Sequence, residues 1–209
     1  MSRILVTSGP TRQYLDPVRY LTNASSGRMG AALASAALEN GHEVTVISGP
    51  VDIEYPEGVV VEFVISTEQM LSVSQDIFPD CDGLIGVAAP CDYRPVKVEA
   101  NKISKTGEPL RLELIETEDV VATLAQDKGS RWVVGFALET EDQRLRALAK
   151  LERKSCDLMV LNGPDAMRSL DNHVEIIAPG GDQIATFSGN KPLVAREIFS
   201  IIQQRLIRL

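Results

Sequence analysis

The chain has 209 residues, 44% hydrophobic and 24% charged, which is enough apolar side chain to bury one substantial core and too much for a disordered segment. Its formal net charge of -8 and pI near 4.9 exclude a basic surface that grips nucleic acid or an anionic membrane, so any phosphate must be held by local features. The three cysteines, Cys81, Cys91 and Cys156, are odd in number and far apart, which fits neither a disulfide framework nor a zinc spacing and points to a reducing compartment. Met1 to Val6 runs directly into a strand pattern without a signal-peptide block, and no stretch is apolar for the width of a bilayer. The expectation is a cytoplasmic protein.

Short β-branched or aliphatic runs predict buried strands at Ile4 to Thr7, Val44 to Ile47, Val59 to Ile65, Leu84 to Ala88, Trp132 to Phe136 and Leu158 to Leu161. Helical patterns fall between them, at Arg28 to Asn40 with Gly41 closing it, Thr67 to Ile77, Glu118 to Gln126 and Thr140 to Arg153. This alternation predicts an α/β, Rossmann-like fold: a mostly parallel sheet with helices on both faces and ligands at the C-terminal ends of the strands. His173 to Ala178 and Gln183 to Ser188 flank Pro179-Gly180-Gly181-Asp182, an antiparallel hairpin signature, before a last helix from about Pro192 to Leu206. One domain, residues 1–209, is expected.

Two connections exceed a minimal βαβ unit. Ser8 to Gly27 is about 20 residues long, a length usually kept for function. Ala89 to Pro109 holds Pro90, Pro95 and Gly107 with Lys97, Lys102 and Lys105, so it reads either as a phosphate-binding segment or as a solvated loop. Ser25, Ser26 and Gly27 directly precede a helix, where they could N-cap it or, with the free N–H groups of its first turn, bind an anion. Gly86-Val87-Ala88 at a strand end lets a flat ligand approach the backbone, and Asp92 could accept hydrogen bonds from sugar hydroxyls. Lys150 and Lys154 share a helix face, either around an anion or as a solvated edge paired with Glu141 or Glu152. Asn162 lies just past a buried strand, facing the presumed cleft.

Several chemistries find no support. The glycines near residue 27 do not form G-x-G-x-x-G, and Ser48-Gly49-Pro50 stands where a dinucleotide fold places its ribose-binding acid. No P-loop and no G-x-S-x-G elbow occurs. His42 and His173 read as structural or exposed, and Cys91, with no base near it in sequence, as an inert thiol.

The block Ser8-Gly9-Pro10-Thr11-Arg12, Asp16-Pro17-Val18-Arg19 and Asn23-x-Ser25-Ser26-Gly27-x-Met29-Gly30 resembles the phosphopantothenate–cysteine ligase family. Ala88 to Pro95, Lys102-Ile103-Ser104-Lys105, Gly135 to Thr140, Lys150 with Lys154, and Asn162 follow in that family's order, so the resemblance covers nearly the whole chain. It implies a ligase of coenzyme A biosynthesis that activates 4'-phosphopantothenate with CTP, or ATP, and joins it to cysteine. By the same resemblance, Asn23 and Lys102 are catalytic. Gly86, Val87, Ala88, Asp92, Lys102, Glu118, Asp119, Val120, Val121, Phe136, Lys150 and Lys154 bind the nucleotide, and Ser25, Ser26, Gly27 and Asn162 bind substrate. Mg²⁺ is expected to accompany the nucleotide, with no identified protein ligands and no flavin. The expected form is a stand-alone homodimer with a flap at about residues 93–112 and no nucleic-acid or membrane partner. Four places depart from the family pattern: Ser104 replaces a lysine, Pro90-Cys91 replaces Val-Ala, Thr117-Glu118-Asp119 replaces Asn-Pro-Asp, and Gly163 follows Asn162. These leave a non-catalytic nucleotide-binding or regulatory module of the same fold as the alternative.

Overall fold

The computed structural model describes residues 1–163 and 171–207. In chain order the strands are β1 (Arg3–Ser8), β2 (Arg12–Tyr14), β3 (Tyr20–Thr22), β4 (Glu43–Ser48), β5 (Val60–Phe63), β6 (Gly83–Gly86), β7 (Tyr93–Pro95), β8 (Leu114–Glu116), β9 (Trp132–Leu138), β10 (Leu158–Asn162), β11 (Asp171–Ile177) and β12 (Gln183–Asn190). The helices are α1 (Arg28–Glu39), α2 (Thr67–Ile77), α3 (Val120–Gln126), α4 (Gln143–Arg153) and α5 (Lys191–Arg205).

Among the described residues the main sheet has eight strands in the order β12-β11-β10-β9-β6-β1-β4-β5. From β10 to β5 every pairing is parallel, whereas β11 and β12 add an antiparallel edge. This is the mostly parallel, Rossmann-like sheet with a C-terminal hairpin that the alternation predicts. The chain leaves β1 for β4 on one side and later returns to β6 on the other, so the order reverses beside β1 and opens a crevice at the C-terminal strand ends.

Strand alternation explains the two cores. Ile4, Val6, Val46, Ile85, Val134, Val160 and Val174 face α1 and α5, where they meet Leu33, Ala37, Val194, Ile198 and Phe199. The intervening residues Leu5, Ile47, Leu84, Val133 and Met159 face α2, α3 and α4, against Met70, Leu124 and Leu151. Both faces are therefore covered, as a parallel sheet requires. Helix starts follow local chemistry. Ser66 and Gln69 form a capping box on α2, Asp119 caps α3, and Asn190 caps α5 ahead of Pro192.

Caps also account for differences from the predicted bounds. The helix expected from Glu118 starts at Val120 because Asp119 is its cap, and the one expected from Thr140 starts at Gln143, after Asp142 with φ 44°. The strand expected to reach Ala88 stops at Gly86, which leaves Val87 and Ala88 on the cleft rim. The two long connections are not plain loops. The first contains the β2–β3 hairpin, and the second sends β7 into an antiparallel ribbon with β8.

Candidate active site

The crevice has two lobes that share a rim. One, of about 470 Å³, is bordered by Asn23, Ser25, Ser26, Gly27, Val87, Lys150 and Asn162. The other, of about 600 Å³, is bordered by Gly86, Glu118, Asp119, Val120, Val121 and Arg153. Ala88, Pro90, Asp92, Phe136 and Lys154 border both. The expected substrate residues thus gather in the first lobe and most of the expected nucleotide residues in the second.

The rim is built by cross-links between the two long connections. Ala89 N–H donates to the Gly9 carbonyl at 2.9 Å, and Cys91 N–H donates to Thr11 Oγ1 at 2.8 Å. The Cys91 carbonyl accepts from Thr117 Oγ1 at 2.7 Å, and Thr117 N–H donates to the Asp92 carbonyl at 2.9 Å. Asn23 Nδ2 donates to the Pro90 carbonyl at 2.8 Å, which fixes its amide where the lobes meet. Cys91 is buried and burial pushes its thiol pKa up, which agrees with the inert reading. Gly86 is required by close approach: a Cβ there would stand 2.4 Å from Val121 Cγ2.

The first turn of α1 opens into the smaller lobe without a cap. Gly27 occupies the N-cap position with φ 72°, and no side chain accepts from the turn's N–H groups. Of the two readings of Ser25-Ser26-Gly27, simple N-capping is therefore not what the fold realises. Free N–H groups and the positive helix end face the lobe instead.

The lysines are not bare. Lys150 Nζ lies 2.6 Å from Glu139 Oε1, and that oxygen has no hydrogen-bond partner, so the contact is a charge pair rather than a directed hydrogen bond. Lys154 Nζ lies 3.0 Å from Asp119 Oδ2, whose Oδ1 caps α3. Neither lysine pairs with Glu141 or Glu152; Glu141 meets Arg146 at 3.6 Å. Two cations are thus held at the mouth by carboxylates from two other strand ends.

Lys102 stands apart. It is exposed on the β7–β8 ribbon and borders a separate depression with Leu15, Glu99, Ile103 and Leu110. Its neighbour Ile103 is tied down: Ile103 N–H donates to Asp16 Oδ2 at 3.0 Å, and Arg19 Nη1 donates to the Ile103 carbonyl at 3.0 Å. Asp16 is fully buried and also accepts from the N–H groups of Val18 and Arg19, both at 2.8 Å. Burial alone would raise its pKa, but these N–H groups and the Arg19 guanidinium hold it at about 2.

Sequence reasoning placed Asp16 and Arg19 in a motif but assigned them no role, because the partner, Ile103, is remote in the chain. It also missed Arg28, Asn172 and Lys191, which border the smaller lobe. Asn172 had no signal beyond its place in a hairpin strand. Among the described residues no group of three or more His, Cys, Asp or Glu could cage a metal ion. No described helix is long and apolar enough to cross a membrane.

The model of the family described as DNA/pantothenate metabolism flavoprotein C-terminal domain matches residues 1–206. The "Coenzyme A biosynthesis bifunctional protein CoaBC" of Vibrio vulnificus (strain YJ016) is 37% identical over 207 residues, covering 96% of this chain and 51% of that protein. The chain thus spans about half the length of the curated relatives it matches. A crystal structure of the C-terminal domain of a CoaBC protein superposes with a TM-score of 0.84 at 35% identity, covering 98% of this chain and 95% of that one. The DNA/pantothenate metabolism flavoprotein from Streptococcus pneumoniae has the same fold, with a TM-score of 0.86 at 23% identity over 98% of this chain and 99% of its own.

Proposed function

We propose that this chain, which belongs to the DNA/pantothenate metabolism flavoprotein C-terminal domain family, is a ligase that joins 4'-phosphopantothenate to cysteine through an acyl-nucleotide, using CTP in preference to ATP. The observation that carries the reading is the two-lobed cleft, where nucleotide-side and acyl-side residues meet along Ala88, Pro90, Asp92, Phe136 and Lys154. The names of the CoaBC relatives agree with it, and the preference for CTP follows the resemblance of the motifs.

In the first step a carboxylate oxygen of the substrate attacks the α-phosphorus, the bond to the β-phosphate oxygen breaks, and pyrophosphate leaves. In the second the cysteine amine attacks the acyl carbon, the nucleoside monophosphate leaves, and the amine loses a proton. Lys150 and Lys154 stand where polyphosphate charge gathers, and each is held by a carboxylate before the ligand arrives. Asn23, anchored by Pro90 at the junction, orients the activated acyl group toward the amine. Lys102 acts from the ribbon as a flap residue and balances phosphate charge in the first step.

Mg²⁺ accompanies the nucleotide and offsets charge on its phosphates. The carboxylates bordering the nucleotide lobe that could help hold it are Asp92, Glu116 and Glu118, beside Asp119, which already pairs with Lys154. We propose a homodimer, supported by the apolar residues Val96, Val98, Leu110, Leu112, Leu114 and Ile115 that the ribbon leaves exposed.

The test is pyrophosphate release with 4'-phosphopantothenate, cysteine and Mg²⁺, run with CTP and with ATP, the coupled product being identified by mass. Coupled product with CTP supports the whole reading. Product with ATP alone overturns the nucleotide preference, and no release with either overturns the ligase.

A further inference from the structure

The carbonyl that starts α1 is held from behind by a chain of three hydroxyl groups. Gly27 O accepts from the Ala31 N–H at 3.0 Å, the first bond of the helix, and also from Ser8 Oγ at 3.2 Å. Ser8 Oγ in turn lies 2.9 Å from the Tyr55 hydroxyl, and that oxygen lies 2.8 Å from Ser48 Oγ. Ser8 and Ser48 close β1 and β4 and are fully buried, while Tyr55 is half-buried on the connection between β4 and β5. Ser8, Ser48 and Tyr55 border neither lobe of the crevice.

Proton counting gives the chain its direction. A carbonyl only accepts, so Ser8 spends its one proton on Gly27, and Tyr55 must then donate to Ser8. Ser48 has the Tyr55 oxygen and the Gly49 carbonyl, each at 2.8 Å, as acceptors for its own proton. The chain reaches the lobe through a peptide plane. The Gly27 carbonyl and the Arg28 N–H belong to one planar trans unit, so a carbonyl pinned toward Ala31 and Ser8 leaves that N–H aimed the other way, out of the helix start. Gly27, Arg28 and Met29 border the smaller lobe, and no side chain caps the turn. Each bond the carbonyl accepts also polarises the peptide and strengthens the N–H as a donor.

We infer that Tyr55, acting through Ser8, is a positioning residue for the acyl substrate: it fixes the Gly27–Arg28 peptide so that its N–H donates to an anionic oxygen of that substrate. The inference rests on the proposal that the Ser25-Ser26-Gly27 turn holds 4'-phosphopantothenate, and it adds a residue remote from the lobe that sets how well the turn binds.

The test titrates the full chain with 4'-phosphopantothenate and follows the Arg28 amide by heteronuclear NMR. In the wild-type protein that signal should shift on binding. Tyr55→Phe, which removes one oxygen, should raise Kd about three- to fivefold, the scale of one hydrogen bond, and Ser8→Ala about tenfold. Because Tyr55 acts only through Ser8, the double variant should bind no more weakly than Ser8→Ala alone. In steady-state assays KM for 4'-phosphopantothenate should follow the same order while KM for the nucleotide and for cysteine stays unchanged, a split that a merely structural role does not give. An unchanged Kd in Tyr55→Phe overturns the inference and leaves the ligase reading intact. Penalties that multiply in the double variant, or a KM raised alike for all three substrates, do the same. A wild-type protein that does not bind 4'-phosphopantothenate overturns the ligase reading and this inference with it.

Discussion

Lys150 and Lys154 show how a single residue's meaning depends on its partner. Spacing puts them on one helix face, but only the fold reveals that Glu139 and Asp119 hold them, from β9 and from the start of α3. Each pair keeps an ammonium in place, ready for phosphate in the proposed reaction, and spares the lysines part of their mutual repulsion. We expect Lys154→Ala to raise KM for the nucleotide by about tenfold, the scale of one charge-assisted contact, and to leave KM for cysteine unchanged in steady-state assays. Asp16 acts on the ribbon in a comparable way. Its folded pKa of about 2 lies below its ordinary 3.8, so its stabilising contribution is complete above about pH 4 and is lost as pH falls through about 2. Protection of the Ile103 amide from hydrogen exchange should decline in that acid window and nowhere above it. In Asp16→Ala protection should be low throughout, and trypsin should cut after Lys102 or Lys105 several-fold faster at neutral pH.

At the scale of elements, the site depends on α1 lying close against the end of β1. Gly30 makes this possible: a Cβ there would stand 2.2 Å from Ser8 Oγ and 2.6 Å from Ser8 Cβ. Gly30→Ala must push the helix off the strand, at a cost of about 1–3 kcal/mol, and should lower the melting temperature by several degrees while also reducing turnover. The α2 capping box is the contrasting case, since it lies outside the residues bordering the cleft. Ser66→Ala should cost about 1 kcal/mol in denaturant unfolding and leave KM for both substrates unchanged. The two experiments separate a helix start that builds the site from one that only holds the fold.

For the whole molecule, the proposed homodimer predicts that light scattering gives twice the chain mass of 22.8 kDa, and that charging the ribbon with Leu110→Asp and Leu112→Asp halves it. Much of this architecture was legible in the chain. Apolar runs of strand length between helical patterns determined the parallel sheet, its covered faces and the C-terminal hairpin, because burial on both faces leaves a local mark at every strand. The family motif carried Asn23, Asp92, Phe136 and the paired lysines to positions that do meet in one crevice. The three-residue strands β2, β3, β7 and β8 were not legible, since they are too short to alternate and β7 meets β8 only across a long connection. Nor was the Asp16–Ile103 tether, whose carboxylate and N–H are joined only when two loops meet. The counter-ions of Lys150 and Lys154 belong to the same class. Periodicity records which side of an element is buried; which polar atom finds a partner depends on distances across the fold, and those only the tertiary structure decided.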